Sequence, residues 1–208
     1  MRETGLPSQS ASQRARWPLL AGIVLAVVLL CLVVGNSIWA SPAQVDPRKT
    51  VTSNDVTGHV NLQGRPNPPA ASRVITLEVR VYSVLTPTIP YSTVVRTTDQ
   101  YGNFDLSGIG VGLNNITVKG IHTLRLRKNN VEVLASGPTI IDFATLLEGD
   151  ANNDNKVNAQ DAAILGTAYW GVRPDAPYDP RADFNDNGRI DARDASLLAT
   201  NYWLQGAD

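Results

Sequence analysis

DANNDNKVNAQDAAILGTAYWG (150–171) and DFNDNGRIDARDASLLATNYWL (183–204) align without a gap at an offset of 33 residues. Nine of the 22 positions are identical, and others exchange Val for Ile, Ile for Leu or Lys for Arg. Such a duplication implies two copies of one supersecondary unit packed on each other. Each copy opens on a loop of the EF-hand type, which supplies oxygen ligands to a hard cation from positions 1, 3, 5, 7, 9 and 12. In the first copy these are Asp150, Asn152, Asp154, the backbone carbonyl of Lys156, Asn158 and Asp161. In the second they are Asp183, Asn185, Asn187, the carbonyl of Arg189, Asp191 and Asp194.

Three carboxylates in each loop match a divalent ion and leave about one surplus negative charge; without the ion their repulsion loosens the loop. Calcium suits this set best. Magnesium demands a smaller octahedral cage and holds its waters, and zinc asks for His or Cys, which neither loop has. Gly188 stands at position 6 of the second loop, where the chain turns sharply. Asn155 takes that place in the first, and Asn tolerates the left-handed conformation better than most non-glycine residues. Val157 and Ile190, at position 8, are expected to pair with each other across a short two-stranded contact between the loops. Behind the loops, helices start near Ala159 and Ala192. Ile164, Leu165, Ala168 and Tyr169, and then Leu197, Leu198 and Tyr202, recur at helical spacing and should share a small core. Trp170 and Trp203, at equal places in the repeats, are expected to pack in that core or clasp it, with exposed partner contact as the alternative.

This segment, 148–204, resembles a type I dockerin module. Each repeat is a loop and a helix without the leading helix of a full EF-hand, each loop ends in Asp, and the proline-rich GVRPDAPYDPRA (171–182) connects the two. The resemblance implies a small all-α module holding two Ca2+ ions and docking onto a cohesin-type partner protein. It also implies that partner contact comes from positions 10 and 11 of each loop and the helix face beyond. Those residues are Ala159, Gln160, Gly166 and Thr167 in the first copy, and Ala192, Arg193, Ala199 and Thr200 in the second. The two near-duplicate faces would allow two orientations related by a pseudo-twofold axis. Gln160 against Arg193 breaks that equivalence and predicts a preferred one.

Upstream, residues 51–145 read as an antiparallel β-sandwich. Val56–Leu62, Val74–Tyr82, Thr93–Thr97, Phe104–Leu106, Ile116–Val118, His122–Leu126, Val131–Leu134 and Thr139–Phe143 are short, rich in β-branched residues and separated by turn signals. In VITLEVRVY (74–82) the alternation puts Ile75, Leu77, Val79 and Val81 on one face. VTGHVNLQGR and TDQYGNFDL, within 51–143, resemble more weakly the carboxypeptidase-regulatory-like or prealbumin-like sandwich family, whose modules serve as spacers or supports. His59 and His122 read as surface or pair-forming strand residues.

The segment 41–50 is a polar linker with two prolines. Ahead of it, residues 1–40 form a signal peptide or a transmembrane anchor. Pro18–Val34 is uncharged and follows Arg14 and Arg16, so the remainder of the chain should lie outside the cell, secreted or at the cell surface.

The formal charge of −1 over 208 residues is unevenly placed: residues 149–208 carry ten aspartates against five basic side chains. That imbalance favours a cation and argues against nucleic acid. One cysteine, Cys31, excludes a disulfide within the chain. The middle segment shows no pair of carboxylates placed as glycoside hydrolysis requires, so no catalytic residue is assigned. The expected protein is therefore an exported, non-catalytic adaptor, possible contexts including extracellular polysaccharide degradation. The alternatives are a polysaccharide-active hydrolase component and a surface structural or self-associating protein with a calcium clasp.

Overall fold

The computed structural model describes residues 55–208. The expectations for residues 1–50, including the apolar segment 18–34, lie outside the described residues. No helix among the described residues is long and apolar enough to cross a membrane.

Among the described residues, seven strands form two sheets: β1 (Val56–Leu62), β2 (Thr76–Ser83), β3 (Pro90–Thr97), β4 (Asn103–Leu106), β5 (Gly112–Lys119), β6 (Leu126–Val133) and β7 (Thr139–Leu146). One sheet has the order β4-β1-β7, the other β3-β2-β5-β6. The alternation in β2 holds, with Leu77, Val79 and Val81 fully buried. They pack with Val56, Val60, Phe104, Ile116, Val118 and Phe143 from both sheets to make the sandwich core. Phe104 and Phe143 lie 5.9 Å apart within it. Gly58 is required there: a Cβ on it would fall inside the Phe104 ring.

Two expectations are corrected. The sandwich is not wholly antiparallel, because β7 runs parallel to β1. The short connection 134–138 crosses from β6 to the other sheet, where β7 lies beside β1 and runs in the same direction. In addition, His122–Arg125 is not a strand. It forms the link from β5 to β6 and spends its backbone groups on the carboxyl-terminal part of the chain: Gly149 and Asp150 donate to the His122 carbonyl, both at 3.1 Å, and Leu124 donates to the Leu147 carbonyl at 2.8 Å.

After β7 come the two expected loop–helix units, with α1 (Ala159–Ala168) and α2 (Ala192–Asn201). Sandwich and helices belong to one compact unit. Leu165, Ala168, Phe184, Ile190, Leu198 and Val157 form a second core, which Leu124 from the sandwich completes.

Candidate metal and docking site

Each helix begins where its loop ends, and the same residues serve both. Asn158 and Asp191, at position 9, cap the helices by accepting N–H bonds from Gln160 and Arg193, both at 2.8 Å. Asp161 and Asp194, at position 12, complete capping boxes. Their outer oxygens accept the N–H of Asn158 at 2.8 Å and of Asp191 at 3.0 Å. A capping box satisfies two of the free N–H groups of a helix start, and a carboxylate in the first turn also meets the positive end of the helix dipole. The loops thus close on bonds between near neighbours in the chain.

Position 1 is bound into the turn in the same way. Asp150 accepts N–H bonds from Asp154 and Asn155, both at 2.9 Å. Asp183 accepts those of Asn187 at 3.1 Å and Gly188 at 2.9 Å. At position 6, both Asn155 (φ 69°) and Gly188 (φ 81°) take the left-handed conformation that the sharp turn needs. Asp150, Asp161, Asp183 and Asp194 are all buried. Burial pushes the carboxyls of Asp150 and Asp194 above their ordinary range; at Asp150 the Lys119 ammonium opposes the rise. Buried carboxylates with this penalty gain most from a cation.

The donor chemistry fits calcium. All the expected side-chain donors are oxygens, and half of each set is amide or backbone carbonyl. No group of three or more His, Cys, Asp or Glu side chains among the described residues is placed to hold a metal ion by itself, so the expected sites depend on the amide and carbonyl oxygens as well.

The pairing across the repeats differs from expectation. Val157 and Ile190 are buried but do not pair with each other. Val157 exchanges backbone hydrogen bonds with Trp203 and Leu204, both at 2.9 Å, and Ile190 does so with Trp170 and Gly171, also at 2.9 Å. Each loop is therefore zipped to the segment that follows the other copy's helix. Trp170 (φ 69°) and Trp203 (φ 72°) turn the chain into that crossing in the left-handed conformation. Their side chains are not in the core: Trp170 is 75% exposed and Trp203 80% exposed. Each rests edge-on against the preceding tyrosine, at 4.9 Å from Tyr169 and 4.8 Å from Tyr202. A backbone committed to the opposite loop points these indoles outward.

The eight residues assigned to partner contact are all exposed. Their settings differ. Ala192 and Arg193 line a cleft of about 510 Å³ together with Gly64 and Pro66 of the sandwich and Asn185 of the second loop. That cleft exists because the β1 end leans on α2, where Gly64 (φ +74°) leaves no room for a Cβ beside Leu197.

The sandwich residues around the loops were not anticipated from the sequence. Lys119 at the end of β5 donates to Asp150 Oδ2 at 2.5 Å. Arg65, its side chain nearly fully buried, reaches Asp186 at 3.2 Å and Glu148 at 3.7 Å. His122 pairs with the fully buried Glu148 at 2.5 Å and lies edge-on to Phe184 at 5.8 Å. Asn201 in α2 donates to Gln63 Oε1 at 2.6 Å and to the Glu148 carbonyl at 2.7 Å. Asn155 accepts the Arg125 N–H at 2.8 Å and donates to the Ala207 carbonyl at 2.9 Å. A signal for several of these contacts was present as departures from the repeat. Asn201, Phe184, Asp186 and Asn155 stand where the other copy has Ala168, Ala151, Asn153 and Gly188. Each of the four touches the sandwich.

Two capped EF-type loops, each followed by a helix and zipped crosswise to its duplicate, define a paired loop–helix module. Residues 148–202 match the family model of the dockerin type I domain. Two solved chains share the fold over a longer stretch. One is from an N-terminal interface mutant of the type II cohesin–X-dockerin complex of Acetivibrio cellulolyticus, with a TM-score of 0.59 and 20% identity, covering 74% of this chain and 98% of that one. The other is from a C-terminal interface mutant of the same complex, with a TM-score of 0.58, 20% identity and the same coverage, 74% and 98%. At this identity the likeness is one of fold, and its extent takes in the sandwich as well as the loop–helix pair. No curated protein matches the chain.

Proposed function

We propose that the chain is an exported, non-catalytic adaptor whose carboxyl-terminal module binds two Ca2+ ions and docks onto a cohesin-type protein. The first ion would be held by Asp150, Asn152, Asp154, the Lys156 carbonyl, Asn158 and Asp161. The second would be held by Asp183, Asn185, Asn187, the Arg189 carbonyl, Asp191 and Asp194. The observation that carries this reading is the duplicated loop, closed in both copies on a buried position-1 aspartate and a buried position-12 aspartate. Calcium would remove the penalty of burying these carboxylates, so the docking face is metal-dependent. Ala159, Gln160, Gly166 and Thr167 form one exposed face, and Ala192, Arg193, Ala199 and Thr200 the other. The cleft beside Ala192 and Arg193 favours unequal use of the two. Export would be directed by the segment 18–34, and polysaccharide degradation is one setting for such an adaptor.

Calorimetric titration of the full chain with CaCl2 should give two sites. Cohesin modules should be captured in calcium and released in EGTA. Capture that persists in EGTA, or the absence of any heat on adding calcium, overturns the reading. A second reading, a calcium clasp that secures the end of a surface protein, draws on the contacts of both loops with the sandwich at Lys119 and Arg65. Under it, calcium raises stability but captures no cohesin.

A further inference from the structure

The two loops are alike in sequence and unlike in what surrounds their first aspartate. Asp150 Oδ1 accepts the Asp154 N–H, while Oδ2 takes the Asn155 N–H and the Lys119 ammonium. Lys119 is itself fixed, since its Nζ also donates to the Thr123 carbonyl at 2.5 Å. Its side chain is only 7% exposed and that of Asp150 is fully buried. At the second loop, Asp183 Oδ2 accepts the Gly188 N–H and the neutral Tyr178 hydroxyl at 2.9 Å. The cation nearest it, Arg173, stands at 3.4 Å and is 52% exposed. A buried charge-assisted hydrogen bond is strong, whereas a long pair open to water is worth little.

Position 6 adds to the difference. In the first loop the Asn155 side chain is tied to Arg125 and Ala207. In the second, Gly188 has no side chain to tie. The sandwich does reach the second loop through Arg65, but the residue it meets there, Asp186, is at position 4, outside the expected ligand set. Among the described residues, only the first loop receives a buried cation on a ligand carboxylate.

We infer that Lys119 is a resident counter-ion for the first loop, holding it in its calcium-binding shape without calcium and leaving the second loop as the one that orders when the ion binds. The carboxylates expected at the first site carry three negative charges, and the ammonium offsets one of them. The ammonium sits against Asp150 Oδ2, while Oδ1 accepts the Asp154 N–H and not the ammonium. This inference rests on the reading that both loops take calcium. It makes the sandwich part of the first site, so docking would be switched at the second copy's face.

The test is amide hydrogen exchange, followed by NMR on the full chain, in EGTA and in calcium. In EGTA the wild-type Asp154 and Asn155 amides, which donate to Asp150, should exchange about tenfold or more slowly than those of Asn187 and Gly188, which donate to Asp183. Calcium should protect both pairs. In Lys119→Met the EGTA advantage of the first loop should disappear, with the second loop unchanged, and Lys119→Arg should retain it. Equal exchange of the two loops in wild-type EGTA samples overturns the inference without need of any variant, as does a Lys119→Met protein that keeps its protection. If calcium changes neither loop and gives no heat, the calcium reading itself fails. If calcium protects the loops but Lys119→Met has no effect, only the counter-ion role fails.

Discussion

Asn201→Ala tests the joint between sandwich and helices at its most specific point. The Asn201 amide is buried and donates two bonds across the boundary, to Gln63 Oε1 at 2.6 Å and to the Glu148 carbonyl at 2.7 Å. Gln63 Oε1 keeps a second donor, the Glu148 N–H at 3.0 Å. The Glu148 carbonyl loses a side-chain donor within a buried interface. An acceptor left unsatisfied there costs about 1–3 kcal/mol, and the Gln63 bond adds about 1 kcal/mol. Against this, Ala is the better helix former by about 0.5 kcal/mol, and Ala168 at the equivalent place in α1 shows that the helix accepts it. The net loss should be about 2–3 kcal/mol. With a urea dependence of about 2 kcal/mol per molar, the midpoint falls by about 1 M at saturating calcium, followed by circular dichroism. Asn201→Asp should cost more, since a carboxylate would face two acceptor oxygens. A shift below about 0.3 M in Asn201→Ala, or a loss no greater in Asn201→Asp, would refute the claim that this amide joins the two parts.

Phe184→Ala should cost about 3–5 kcal/mol in thermal or urea unfolding, because the ring is fully buried beside His122. A loss under 1 kcal/mol would mean that the ring is not packed. Gly64→Ala combines a left-handed backbone with a Cβ that would lie 2.6 Å from Leu197 Cδ1. It should destabilise by about 1–2 kcal/mol from the backbone alone, read as a lowered midpoint. Trp170→Ala and Trp203→Ala should each change stability by no more than about 1 kcal/mol, since the indoles are exposed and touch mainly one tyrosine. Losses of 3–5 kcal/mol would instead place them in a core.

How far the sequence could be read depended on the range of the contact. The loops and helices were legible because their bonds are local: Asn158, Asp161, Asp191 and Asp194 cap the helix starts within three residues of themselves. The β2 alternation was legible for the same reason, as period two reports a face directly. The reading failed where a partner lies far along the chain. Spacing expected Val157 to meet Ile190, but each meets the segment after the opposite helix, and that crossing exposes the tryptophans. His122–Leu126 has the composition of a strand, yet most of it serves as the surface on which the loops settle.

Local pattern alone specifies two oxygen-lined loops, each capping its own helix, behind a β-rich segment. Turn chemistry, capping and hydrophobic period act between near neighbours, and they survive in a bare string of letters. Packing between distant elements is what sets Lys119, Arg65 and His122 against those loops and gives near-identical copies unequal surroundings. Those contacts join residues 26 to 121 positions apart. Their existence depends on how two sheets and two helices pack, which no local pattern encodes.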